Sequence, residues 1–375
     1  MIYLDSAATT LQKPAQVPRA MQYAIQHAAS PGRGGHRPAE LAAAIAYDCR
    51  EVAADLFGLS NPEQVVFTMN ATHAINLAIH SLVRPGDTVI ISGYEHNAVT
   101  RPLYNRNDIT VRIAQAPLFC PDAQIAAFER LLREGAQVVV CTHISNVFGY
   151  ILPMDDIARL CHKYGASLIV DAAQSAGCVD INIGRWNASF VAMPGHKGLY
   201  GPQGTGILLC NASTMPLLFG GTGSRSMEQS MPDFLPDRLE AGTHNVPGIA
   251  GLLAGLRFVR GRGVDTIGKH ERCLIDLAGR LLKEIPGVEL FMAPEGLNCQ
   301  SGVLSLRVKD ADHEKLGSLL AKHGIAVRTG IHCAPLAHQT AKTLPQGTIR
   351  ISVSVFNTPD HLSHFSHIFR RCLAA

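Results

Sequence analysis

Short runs of β-branched and apolar residues alternate along this chain with longer stretches whose apolar positions fall three and four apart. The short runs predict strands over 64–68, 88–92, 138–143, 167–171 and 206–209. The stretches 72–83, 122–134 and 155–164 between them predict amphipathic helices. Such alternation is the signature of an α/β fold with a largely parallel sheet. Helical spacing also covers 17–29 and 40–57, ahead of the sheet. After residue 248 the pattern changes to one long helical stretch reaching about 282, a strand at 303–308, a helix at 313–322, a strand at 348–353 and a last helix from 359. That mixture predicts a smaller α+β unit. No internal repeat or low-complexity tract interrupts it.

Composition narrows the class. A chain of 375 residues can hold one large domain with a smaller companion and bury a substantial core. At 47% hydrophobic and 17% charged residues it is too apolar and too weakly charged for disorder. Lys plus Arg number 33 against 30 Asp plus Glu, and the net charge of +3 argues against a surface built for nucleic acid. The uncharged run 198–224 contains many glycines with Pro202 and Pro216, which no lipid-exposed helix would choose. The start, MIYLDSAATT, lacks the pattern of a secretory signal. Ten cysteines without close pairs or a CxxC fit a reducing cytoplasm better than a disulfide framework. The expectation is a soluble cytoplasmic protein with no nucleic-acid partner, no membrane partner and no metal.

Candidate chemistry gathers at a few residues. Lys197, in PGHKGLYGPQGTG, is the only lysine in a long apolar, glycine-rich stretch. Desolvation there lowers an ammonium pKa, the condition under which lysines form Schiff bases with carbonyl cofactors; a surface loop shaped by glycines is the plainer alternative. Asp171 closes the strand SLIVD at the sheet edge where open α/β sheets bind ligands. It suits the ring nitrogen of pyridoxal phosphate, or else caps a helix. Thr72 opens the helix after 64–68, as part of a phosphate site or as a simple cap. His96, in YEHNAV after 88–92, is placed to stack on a flat ring or to serve structurally. Cys333, in RTGIHCAPLAH, has His332, His338 and Arg328 nearby as candidate cations, which favours a nucleophilic thiol. Zinc would call for paired cysteine spacing that is absent. The other nine cysteines read as small core residues. GVDTIGKH, at 263–270, falls one letter short of a phosphate-binding loop, has no strand before it, and there is no GxGxxG.

Together YLDSAATT, EHNA, HISNVFG, VDAAQ, GHKGLYGP, RLEAGTHN, AVRTGIHCAPL and IRISVSVFNT, in this order over nearly the whole chain, resemble the pyridoxal phosphate enzymes of aminotransferase class V. Within that class they resemble the cysteine desulfurases of the Suf-type and selenocysteine lyase-like group. The resemblance implies fold type I: a large domain over 15–250 with a mainly parallel, seven-stranded-type sheet binding pyridoxal 5'-phosphate, and a small α+β domain from 1–14 and 251–375 carrying the Cys333 loop. It implies Lys197 as the Schiff-base lysine, Asp171 on the pyridine nitrogen, Gln174 near the phenolic oxygen and His96 stacked on the ring, where it is also a candidate for proton transfer. Thr72 and His196 match phosphate contacts, and Thr243 matches a threonine reaching the phosphate of the partner subunit in a homodimer. Arg350 resembles the arginine that holds the substrate carboxylate, Asn146 an asparagine beside the substrate, and Arg328 lies in the segment of Cys333, the thiol that takes sulfur.

The implied activity converts L-cysteine to L-alanine, leaving a persulfide on Cys333 for an acceptor protein that serves iron–sulfur cluster assembly or another pathway. Two alternatives stand beside it: a selenocysteine lyase or other β-elimination lyase, and a catalytically degenerate scaffold in sulfur transfer. The chain departs from the family pattern at Asn70 and Ala71 in TMNATHA, at Pro194 before GHK and at Ile331, two before the cysteine.

Overall fold

A continuous apolar run such as VVVCT makes a strand only where both faces are covered, and Val138–Thr142 is buried along its whole length. The computed structural model describes residues 1–32 and 34–374; Arg33 and Ala375 lie outside the described residues. Val138–Thr142 lies inside a seven-stranded sheet ordered Val65–Thr68, Gly206–Cys210, Phe190–Pro194, Ser167–Asp171, Val138–Thr142, Thr88–Ser92, Thr110–Ala114. Gly206–Cys210 runs antiparallel to both neighbours; the other strands share one direction. Arg37–Phe57, Pro121–Arg133, Met154–Tyr164 and Val246–Arg262 cover one face, and Ala71–Leu82 with Asn97–Tyr104 cover the other.

Because those strands share a direction, Thr68, Ser92, Thr142, Asp171 and Pro194 all end at one edge. The segments that follow carry Asn70, His96, Asn146, Gln174 and Lys197 to it. Gly206 starts its strand at the same edge, opposite both Thr68 and Pro194. A Cβ there would stand 2.6 Å from Thr68 Oγ1 and 2.8 Å from the Asn70 carbonyl carbon. Only glycine lets the start of Ala71–Leu82 approach so closely.

Two differences from the predicted elements are informative. The single helical stretch after 248 is two helices, Val246–Arg262 and Val264–Lys283, because Gly263 at φ 85° breaks the run. Phe190–Pro194 and Thr110–Ala114 are strands that the pattern does not predict. The first ends on a proline; the second is an edge strand, largely half-buried, with weak alternation.

A second, antiparallel sheet is ordered Arg328–Gly330, Thr348–Ser352, Val303–Val308, Val288–Phe291. Val264–Lys283, His313–Lys322 and Pro359–Leu373 pack with it into a separate apolar core around Leu304, Ile351 and Phe365. The N-terminus joins this side: Ile2–Tyr3 pairs with Ile325–Ala326, and Asp5 bridges to Ser352. Ser305 Oγ donates to the Val147 carbonyl at 2.6 Å, tying the second sheet to the edge of the first, and Thr340 Oγ1, at the end of the helix Pro335–Thr340, donates to the Gly93 carbonyl at 2.8 Å.

The segment between Gly206–Cys210 and Val246–Arg262 is pinned by a buried ion pair. Arg50 donates to Glu240 through Nη1 at 2.8 Å and Nη2 at 2.7 Å, and to the Val65 carbonyl. Glu240 Oε1 also accepts from the Phe67 N–H, and the Arg50 guanidinium stacks 4.1 Å above the Phe67 ring. Removing one partner of such a pair leaves a buried charge uncompensated. Glu240→Ala is expected to lower unfolding stability by about 3–5 kcal/mol in urea titrations. A loss below about 1 kcal/mol, the size typical of an exposed pair, would mean the pair is not sealed from water.

Candidate active site

The site is built at the carboxyl edge of the large sheet. Lys197 follows Phe190–Pro194 in a half-buried turn whose backbone is fixed from both sides. The Tyr200 N–H donates to the Lys197 carbonyl at 2.9 Å, and Thr10 Oγ1 donates to the same oxygen at 3.2 Å. Its amine makes no hydrogen bond to protein among the described residues. Withdrawal from water lowers its pKa to about 8, against the pull of the Asp171 carboxylate. Asp171 is buried; Oδ1 accepts from the Ala173 N–H at 2.9 Å, and Oδ2 has no partner among the described residues. Burial raises its pKa, while the Ala173 N–H and Lys197 favour the charged form.

His96 caps Asn97–Tyr104, its Nδ1 accepting from the Ala98 N–H at 3.0 Å. An accepting Nδ1 leaves Nε2 to carry the ring proton. Burial and the nearby Lys197 push its pKa down to about 4, so it is neutral at pH 7. His196 is likewise neutral, lowered to about 4 chiefly by burial. Its Nδ1 lies 3.0 Å from Thr9 Oγ1, and Lys13 Nζ donates to its carbonyl at 2.9 Å. Gln174 Nε2 donates to the Ala7 carbonyl at 3.0 Å.

The helix expected to open at Thr72 begins at Ala71 and is capped by Asn70, whose Oδ1 accepts from the His73 N–H at 2.9 Å. One residue noted as a departure from the family pattern is thus the cap. Thr72 is exposed in the first turn. Thr243 is exposed too, and lines a cavity with Thr68, Met69 and His73 rather than with Lys197.

The second sheet supplies the other half. Arg350 is buried in Thr348–Ser352; Nη1 donates to the Asn146 carbonyl at 2.9 Å and Nη2 to Asp5 Oδ1 at 2.8 Å. Asn146 Nδ2 donates to the His332 carbonyl at 2.8 Å, and the Asn97 N–H donates to the Cys333 carbonyl at 2.8 Å. That last bond joins the cysteine loop to the helix capped by His96. Cys333 is exposed. His332 and Cys333 lie at φ 53° and 55°, two consecutive non-glycine residues in the left-handed region. Each costs roughly 1–3 kcal/mol, sustained only where surrounding bonds hold it.

The sequence offers His332 and His338 as candidate cations near Cys333, and the structure corrects this. Both are buried and neutral: burial, helped by Arg350, pushes His332 down to about 2, and burial takes His338 to about 4. His332 Nε2 faces Thr348 and His338 Nδ1 faces Thr343. Arg328 carries its charge to Asp5.

The model of the family Aminotransferase class-V matches residues 2–365. The chain belongs to the class-V aminotransferase family. A relative from Methanothermobacter thermautotrophicus, described as a probable cysteine desulfurase, is 32% identical over 96% of this chain and 92% of its own length. A Mycobacterium leprae relative, described as probable cysteine desulfurase 1, is 34% identical over 99% of this chain, which spans 62% of that longer protein. The apo structure of a cysteine desulfurase from Thermococcus onnurineus NA1 superposes with a TM-score of 0.90 at 29% identity, covering 99% of this chain and 94% of that one.

In this member of the class-V aminotransferase family, sequence reasoning missed three side chains at the site. Asp5 joins Arg350 to Arg328. Lys13 braces the His196 carbonyl. Glu95, the residue before His96, is fully buried, with Oε1 accepting from the Ser92 and Thr142 N–H groups. Burial raises its pKa to about 8 and keeps it protonated at pH 7. A glutamate three residues past the end of the apolar strand TVIIS was the available signal for the last.

Proposed function

We propose that this member of the class-V aminotransferase family is a pyridoxal phosphate-dependent cysteine desulfurase that converts L-cysteine to L-alanine and takes the sulfur onto Cys333 as a persulfide. The observation that carries this reading is one convergence: an unpaired lysine amine, a buried carboxylate with a free oxygen, and a thiol loop hydrogen-bonded to the helix that His96 caps.

The residues present fit the cofactor. Asp171 Oδ2 is free for a ring N–H, Lys197 Nζ is free for an aldehyde, and the Ala71 and Thr72 N–H groups have no partner among the described residues, as an anion site requires. When bound, pyridoxal phosphate supplies an aldehyde for a covalent link to an amine and a protonated ring that takes up the electron pair released at the substrate α-carbon. Lys197 would hold it, Asp171 would keep its ring proton, and Gln174, His96, Thr72 and His196 would surround it.

The chain's own residues then divide the work. Arg350 holds the substrate carboxylate and Asn146 lies beside it, with Arg328 at the same end. Lys197 Nζ, poised near neutral pH, takes the α-proton and returns it. His96 holds a single ring proton at Nε2, available for transfer. The Cys333 thiolate forms an S–S bond to the substrate sulfur as the C–S bond breaks, the electron pair staying with carbon. Alanine results once the β-carbon has gained a proton.

An exposed Cys333 suits hand-over to a sulfur-acceptor protein. The segment with exposed Leu218, Phe219 and Met227 that leads to Thr243 suits a homodimer in which Thr243 serves the neighbouring site. Ten free cysteines suit the cytoplasm. Among the described residues no helix is long and apolar enough to cross a membrane, and no cluster is placed to hold a metal.

The test is direct. Protein loaded with pyridoxal phosphate and given L-cysteine with excess dithiol is expected to form alanine and sulfide in equal amounts. No alanine above the protein-free control would overturn the reading.

A further inference from the structure

The peptide that leads into Lys197 is gripped by the start of the chain. The His196 carbonyl oxygen lies within reach of four donor groups from residues 9–13: the Thr10 N–H and Thr9 Oγ1 at 3.2 Å, Thr10 Oγ1 at 3.0 Å and Lys13 Nζ at 2.9 Å. A carbonyl oxygen has two lone pairs, so more donors converge here than it takes at once. Lys13 Nζ also donates to Thr10 Oγ1 at 2.5 Å. That bond turns the Thr10 hydroxyl proton toward the His196 carbonyl and the Lys197 carbonyl, the latter 3.2 Å away.

Lys13 is half-buried at a cost, since withdrawal from water lowers its pKa to about 8. No carboxylate pairs with it among the described residues; its partners are Thr10 and the His196 carbonyl. A lysine stem is long enough to carry its ammonium out to water, yet this one turns in. The same arm is fastened further back: the Ala7 N–H donates to Ser352 Oγ at 2.8 Å, and the Ala7 carbonyl accepts from Gln174 Nε2 at 3.0 Å. The arm therefore runs from the strand of Arg350 to the turn of Lys197, and Lys13 is its charged hold on that turn. On the other side of the turn the Tyr200 N–H fixes the Lys197 carbonyl at 2.9 Å.

We propose that Lys13 is a positioning residue for Lys197: it clamps the peptide between His196 and Lys197, directly and through Thr10, and so keeps the Lys197 amine in place at the carboxyl edge of the sheet. The inference rests on reading Lys197 as the amine that joins the cofactor aldehyde. That link forms with loss of water, and it is the stronger the less freedom the amine gives up in forming it. Without the clamp the peptide is free to turn. The covalent link then weakens, while the rest of the pocket still holds the ring and the phosphate.

The experiment compares pyridoxal 5'-phosphate with pyridoxine 5'-phosphate, which carries an alcohol in place of the aldehyde and binds without a covalent link. The affinity of each for the full-length protein, freed of cofactor, is measured by calorimetry for the wild type, Lys13→Met, Thr10→Val, Thr10→Ser and Lys197→Ala. The wild type is expected to prefer the aldehyde. Lys13→Met is expected to cut that preference about tenfold, the scale of one hydrogen bond from a charged donor. Thr10→Val is expected to cut it as well, and Thr10→Ser, which keeps the hydroxyl, retains it. General loss of structure weakens both ligands together and leaves their ratio alone, so an unchanged ratio in Lys13→Met overturns the proposal. An equal loss in Thr10→Ser and Thr10→Val also overturns it. Lys197→Ala is expected to abolish the preference; a preference that survives there overturns the reading of Lys197 instead.

Discussion

Lys197→Ala is expected to lower the rate of alanine formation from L-cysteine by about 10²–10⁴-fold or more, the range lost with a positioned acid–base group. The expectation follows from the site: Lys197 is the one amine beside Asp171 that has no hydrogen-bond partner among the described residues. Lys13, the other lysine with a lowered pKa of about 8, donates to Thr10 and to the His196 carbonyl, and is not free to replace it. The check is single-turnover alanine formation, with circular dichroism confirming that the variant is folded. Lys197→Arg, which keeps the charge but holds it at any accessible pH, is expected to be as inactive as the alanine variant. Retention of more than a tenth of the wild-type rate in either would remove Lys197 from the chemistry.

Cys333→Ala separates sulfur transfer from the cofactor chemistry. The bond from the Asn97 N–H reaches the Cys333 carbonyl, not the thiol, so the variant keeps the contact that joins the loop to His96. L-cysteine desulfuration is expected to fall to background, and the persulfide found on the wild-type protein by mass spectrometry should be missing. Turnover of L-selenocysteine that survives the substitution would favour the lyase reading. Unchanged desulfuration of L-cysteine would refute the role of Cys333. The neutral His332 and His338 add a second expectation: substituting either perturbs the loop through its contact with Thr348 or Thr343, not through charge on the thiol.

The strands that were legible are those with both faces buried and no proline in the run. VVVCT and SLIVD are covered on both faces, so their apolar runs announce strands, and Asp171 stands out as the carboxylate that ends one. Thr110–Ala114 lies at the sheet edge with little burial to mark it, and Phe190–Pro194 ends in a residue that argues against a strand. Gly263 splits two helices that share one periodicity, and a glycine inside such a pattern does not by itself say whether the helix continues. At the site, Lys197 was visible because its neighbours are apolar and glycine-rich. Asp5 was hidden for the opposite reason: its meaning depends on Arg328 and Arg350, more than three hundred residues away, and no local pattern couples them. The charge expected around Cys333 failed on the same ground, since proximity in sequence did not reveal that His332 and His338 turn inward and lose their protons.

The measurement that bears most directly on the central claim is covalent trapping at Lys197. Purified protein is incubated with pyridoxal 5'-phosphate, reduced with borohydride, digested and mapped by mass spectrometry. A single phosphopyridoxyl group on Lys197, together with loss of the protein's yellow colour, is the result expected. A protein that stays colourless with excess cofactor, or that carries the label on Lys13 or another lysine with Lys197 unmodified, would contradict the account.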